Sequence, residues 1–100
     1  MVTYPIHLPG DGYRGTNPRR REQARSYNAD SQRIERCINE MLREQTEARV
    51  SYTWHEVSSR CGLSPERIRE IGFSIDGGHN GFTALRPGTT WEQAQQESRD

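Results

Sequence analysis

The stretch SRCGLSPERIREIGFSIDGGHNGFTAL fills positions 59–85, and its reading decides the fold. Gly62 suits a left-handed helix cap, because a residue without Cβ takes positive φ at little cost. Ser64-Pro65 then reads as an N-cap followed by proline at the first helical position, where a missing N–H loses no bond. One helix therefore stops at 61–62 and a second runs over 65–71, with Ile68 and Ile71 on its inner side and Gly72 at its end. From Phe73 the period changes. Phe73-Ser74-Ile75 and Phe82-Thr83-Ala84 alternate, and Asp76-Gly77 and Asn80-Gly81 are turn signals that need positive φ. The pattern predicts a β-hairpin over 73–84 with a glycine-rich tip.

Upstream, Thr53-Trp54-His55-Glu56 follows the reciprocal capping pattern of a helix start, so a short helix begins at Trp54 with Val57 and Cys61 on its buried side. Val50-Ser51-Tyr52 is long enough for one strand of a sheet completed elsewhere. Before it, Ile34, Cys37, Ile38, Met41 and Leu42 recur at i, i+3, i+4, i+7 and i+8, which predicts an amphipathic helix over 31–45 capped by Asp30 or Ser31. Cys37 lies inside that stripe and reads as core packing. Downstream, Pro87-Gly88 breaks the chain. Thr90-Trp91-Glu92-Gln93 then repeats the capping pattern, so 89–100 carries a short helix anchored by Trp91.

Residues 1–27 hold Pro5, Pro9 and Pro18 with no sustained period, and read as a flexible arm. Its charge is one-sided: Arg14, Arg19, Arg20, Arg21 and Arg25 stand against Asp11 and Glu22. Such a run is either a solvated tail or an arm for a polyanion.

One hundred residues bound the chain to a single small domain, and 30% hydrophobic content limits its core. The formal net charge is zero, so total charge does not advertise an anionic partner. All 14 basic residues are Arg. Arg suits bidentate contact with phosphate or guanine, and a GC-rich coding sequence produces the same bias. Cys37 and Cys61 show no paired spacing, and no apolar run is long enough for a membrane span or signal core. A soluble cytoplasmic protein is expected. His55, His79, Cys37 and Cys61 match no zinc spacing, and no catalytic pair is indicated. The expectation is no metal, no cofactor and no enzyme.

The order helix, strand, helix, tight turn, helix, hairpin resembles the winged helix-turn-helix family over about 31–85. Val57-Ser58 match its buried and small positions in the first helix of the motif, Cys61-Gly62-Leu63 its turn, and Ile68 and Ile71 its buried aliphatics in the second. The resemblance implies an α+β fold, with a three-helix core and a hairpin wing over 28–88, a flexible arm over 1–27 and a C-terminal helix over 89–100. It also implies a DNA-binding protein, a small transcriptional regulator that reads the major groove with helix 65–71 and acts as a homodimer.

On that reading Ser64, Glu66, Arg67, Arg69 and Glu70 face DNA, His79 and Asn80 belong to the wing, and Arg19, Arg20, Arg21 and Arg25 supply phosphate contacts. The helix 65–71 is itself neutral, with Glu66 and Glu70 against Arg67 and Arg69. It therefore needs the arm for affinity. The bland reading of the same residues is a solvated helix face and a plain tight hairpin. The competing class is a winged-helix module that docks protein instead of DNA, with Trp54, Trp91 and the wing as contacts. Clustered Arg residues favour DNA; dispersed ones favour protein.

Overall fold

The computed structural model describes residues 2–76 and 80–97. It is a small α+β domain in which helices pack on a two-stranded antiparallel sheet. The order is α1 (Pro18–Glu44), β1 (Arg49–Thr53), α2 (Trp54–Cys61), α3 (Pro65–Asp76), β2 (Gly81–Leu85) and α4 (Trp91–Glu97).

The local signals around α2 act as their chemistry requires. The Thr53 hydroxyl accepts from the Glu56 amide at 3.1 Å, and the Thr53 amide donates back to Glu56 Oε1 at 3.3 Å. Gly62 closes the helix at φ +80°, its amide donating to the Ser58 carbonyl at 2.9 Å. The Ser58 hydroxyl donates to the Leu63 carbonyl at 2.5 Å and fixes the corner between α2 and α3. Ser64 then accepts from the Arg67 amide at 3.2 Å as the cap of α3. Thr90 and Gln93 make the same reciprocal cap at the start of α4.

Two elements differ from the sequence reading. The first is the N-terminal arm. Positions 18–27 belong to α1, a continuous helix of 27 residues, capped by Asn17 with Pro18 at its first position. Asp30 and Ser31 lie in the middle of that helix rather than at its start. Residues 2–13 do not float either. They run back along α1 as a strap held mainly by polar contacts. The Ile6 amide donates to Asn39 Oδ1 at 2.8 Å, and Asn39 Nδ2 donates to the Ile6 carbonyl at 3.2 Å. The Leu8 amide donates to Glu35 at 2.8 Å, the Ser31 hydroxyl to the Pro9 carbonyl at 3.1 Å, and the Asp11 amide to Asn28 at 2.6 Å. Backbone groups that would need water as a free tail are satisfied by one face of α1.

The second difference is the hairpin. Phe73, Ser74 and Ile75 form the last turn of α3, not a strand. Gly72 does not stop the helix. It lies buried inside it, where a Cβ would come within 2.9 Å of the Trp54 ring. The missing side chain leaves room for the indole against α3. The partner of β2 is β1, in a register that sets Thr53 opposite Gly81 and Arg49 opposite Leu85. Val2 adds a parallel bridge on the other side of β2. Its amide donates to the Thr83 carbonyl, and the Leu85 amide donates to the Val2 carbonyl, both at 2.9 Å.

The core lies between α1, α2, α3 and the sheet. Ile34, Ile38, Leu42, Val57 and Ile68 are fully enclosed, with Val2, Ile6, Trp54 and Phe82 completing the cluster. The Trp54 and Phe82 rings meet at a centroid distance of 5.5 Å, tilted by 44°. Gln45, just past α1, links the layers: its amide group donates to the Ala84 carbonyl at 3.1 Å and its oxygen accepts from the Tyr52 hydroxyl at 3.1 Å.

Candidate functional site

The outward side of α3 is fixed by what its inner side buries. Ile68 and Ile71 are 0% and 1% exposed, so Glu66, Arg69 and Glu70 point away from the core and are exposed. Ser64 is exposed at the helix start, with its oxygen engaged in the cap.

Arg67 takes a different place from the one its neighbours share. It is half-buried, and its Nε donates to Asp30 of α1 at 2.8 Å. Its guanidinium also lies 5.5 Å from the centre of the Tyr27 ring and 3.4 Å from Glu70. The Asp30 hydrogen bond, with the charges of Asp30 and Glu70, holds the guanidinium above its ordinary range. Arg67 thus docks α3 onto α1. Of the two arginines expected to read bases, only Arg69 is exposed with no ion pair among the described residues.

A cleft lies on each flank of α3. One, of about 480 Å³, is bounded by Pro65, Glu66 and Arg69 on α3, His55 at the start of α2, and Asn80 before β2. The backbone makes this juxtaposition: the Trp54 amide donates to the Asn80 carbonyl at 3.0 Å and draws the start of β2 against the start of α2. His79, expected beside Asn80, lies outside the described residues. The other cleft, of about 360 Å³, is bounded by Arg67 and Glu70 on α3 and by Arg20, Gln23 and Tyr27 on α1.

The second cleft connects α3 to the basic run. Arg19, Arg20, Arg21 and Arg25 are all exposed on the first turns of α1. Arg20 pairs with Asp11 at 3.1 Å and sits over the Tyr13 ring at 5.3 Å. Arg19, Arg21 and Arg25 form no ion pair among the described residues. Cations at a helix N-terminus oppose the helix dipole, whose positive end already lies there. No acidic residue stands in that first turn to offset them. The Arg residues that sequence reasoning placed on a loose arm therefore stand on the first turns of α1, with Arg20 bordering the cleft beside α3.

Trp54, a contact point in the protein-docking reading, is 2% exposed and unavailable as one. The side chain of Trp91 lies outside the described residues. Among the described residues no His, Cys, Asp and Glu group is placed to hold a metal, and no helix is long and apolar enough to cross a membrane. No protein-family model matches the chain, and neither a curated protein nor a solved structure matches it.

Proposed function

We propose that the chain is a DNA-binding protein of winged-helix type, a small regulator that presents α3 to the major groove. The carrying observation is Arg19, Arg21 and Arg25, exposed on the first turns of α1 with no ion pair among the described residues, on the helix whose Arg20 shares a cleft with α3. That arrangement costs helix stability and creates a local positive field in a chain of zero net charge. Phosphates are a partner that repays both. Support for the winged-helix relationship is the order α1-β1-α2-α3-β2, with the capped corner between α2 and α3 and an antiparallel sheet closing behind it.

The roles then divide. Arg19, Arg21 and Arg25 contact phosphates. Arg69 reads a base edge, with Glu66 beside it as an acceptor for cytosine N4. Arg67 positions α3 through Asp30. His55 and Asn80 border the outer flank, where backbone phosphate would pass.

The test is binding to duplex DNA as a function of salt. The triple variant R19Q/R21Q/R25Q should lower affinity on every sequence, and should reduce the slope of log K against log salt by about 2–3, near 0.9 per lost phosphate contact. Arg69→Ala should instead reduce discrimination between sites by about 1–3 kcal/mol with little change in slope. Absence of binding by the unaltered chain at low salt would reject the proposal and favour protein docking through the same α3 face.

A further inference from the structure

Cys37 and Cys61 are far apart in the chain and adjacent in the fold. Cys37 lies in the apolar stripe of α1, one turn after Ile34, and Cys61 is the last residue of α2. Both are free thiols, and the neighbouring Cys37 helps raise the pKa of Cys61. Cys61 is 2% exposed, whereas Cys37 is half-buried. Both thiols line a surface cavity of about 460 Å³ between α1 and α2. Its rim carries Arg33, Arg36 and Arg60 against Glu40, and the Arg33 charge acts on Cys61 in the direction that favours its thiolate. Arg60 is paired with Glu44 at 2.6 Å.

A cysteine placed only for packing needs neither a partner thiol nor an opening. Reactive cysteines sit in partly exposed, electropositive surroundings, and Cys37 has both, with a second thiol behind it. We propose that Cys37 and Cys61 are a reversible thiol–disulfide site, oxidised by an anionic low-molecular-weight disulfide of the glutathione class that enters the Arg-rimmed cavity. This does not depend on the DNA-binding reading.

The exchange runs in two displacements. Cys37, as thiolate, attacks one sulfur of the small disulfide. The small S–S bond breaks, a Cys37 mixed disulfide forms, and the first small thiolate leaves and takes up a proton. Cys61 then loses its proton and attacks Cys37 Sγ. The mixed bond breaks, the Cys37–Cys61 bond forms, and the second small thiolate leaves and is protonated. Two protein thiols are oxidised, one small disulfide is reduced to two thiols, and the two protein protons end on them. Cys37 acts first because it is the accessible thiol. Cys61 acts second, and slowly, because burial and the neighbouring Cys37 push its thiol up to about 12. The product joins α1 covalently to the end of α2, next to the Gly62 corner that orients α3.

The experiment exposes the full chain to oxidised glutathione and follows intact mass, free thiols and peptide maps. The unaltered chain should lose the mass of two hydrogens and both free thiols, with full recovery on reduction. Cys61→Ala should stop at a stable glutathione adduct on Cys37, and Cys37→Ser should remain unmodified. The oxidised unaltered chain should also unfold at a higher temperature than the reduced chain. The proposal is overturned if the unaltered chain retains both thiols, if it accumulates the adduct without closing the disulfide, or if Cys37→Ser gains an adduct as fast as the unaltered chain does. The mass and thiol measurements on the unaltered chain decide the matter even where a variant folds poorly.

Discussion

Ile6→Ala separates a structural strap from a solvated tail. Ile6 is 6% exposed and belongs to the same core cluster as Ile34, Ile38 and Leu42. The substitution removes three buried carbons, worth about 2.4 kcal/mol at roughly 0.8 kcal/mol each. A cavity adds to that, and Ile→Ala in a packed core costs about 2–5 kcal/mol. The strap is held to α1 by side chains that can follow a small shift, so the lower half of that range is expected, about 2–3 kcal/mol. In a domain of this size each kcal/mol moves Tm by about 4–8 °C, which gives a fall of roughly 10–20 °C. The assay is thermal and urea unfolding by circular dichroism, with Thr3→Ala as an exposed control on the same segment. A change within about 0.5 kcal/mol, the size of an ordinary surface effect, would refute the strap.

Alkaline stability tests the Cys61 environment. Its thiol rises from an ordinary 9.0 to about 12 in the fold, so the folded chain keeps a proton that the unfolded chain releases above its own pKa. The stability present below pH 9 should therefore fall as pH rises toward 12, by up to about 1.4 kcal/mol per unit. Cys61→Ala should flatten the decline, leaving the part due to Tyr52, which burial and Glu56 also raise; an unchanged slope in the variant would contradict the assignment. Gly81→Ala should destabilise more than Gly72→Ala in urea, because the Gly81 methyl meets the fixed Tyr52 carbonyl and Thr53 backbone, while the Gly72 methyl meets a Trp54 ring that can shift; the reverse order would remove that argument. Arg67 and Asp30 should show a coupling of about 1 kcal/mol in a double-mutant cycle of Arg67→Ala and Asp30→Ala, and additive losses would show that the bridge does not dock α3.

What could be read from the sequence was local. The cap at Thr53 and Glu56, the turn at Gly62 and the start at Ser64-Pro65 depend on residues within four positions of one another. They appear in the structure where the sequence places them. Asn17-Pro18 is the same kind of signal as Ser64-Pro65, yet no apolar stripe follows it to mark a helix. Before Ser31, only Ala24 is buried on that helix. Of the side chains that bind the strap only Asn28 falls in that stretch, and it is polar, so positions 18–30 carry no hydrophobic period. Gly72 is ambiguous in the sequence for a related reason. A glycine that ends a helix and one that makes room for an indole look alike until Trp54 is seen across from it. The spacing of Ile68, Ile71 and Ile75 is helical, and it was the available sign that α3 continues. The exposed face of α3 was legible from Ile68 and Ile71. The loss of Arg67 to Asp30 was not, because nothing local links two residues on different helices.

The bridge from Val2 to β2 has a consequence for the chain's birth. A ribosome delivers Val2 and Ile6 early and Thr83 and Leu85 late. Until β2 emerges, Val2 has no strand to join. Through that interval α1, α2 and α3 can form, but the core they share lacks Phe82 and Ala84 from β2. Closure links the two ends of the fold in one late, long-range event, the kind that slows folding and favours aggregation beforehand.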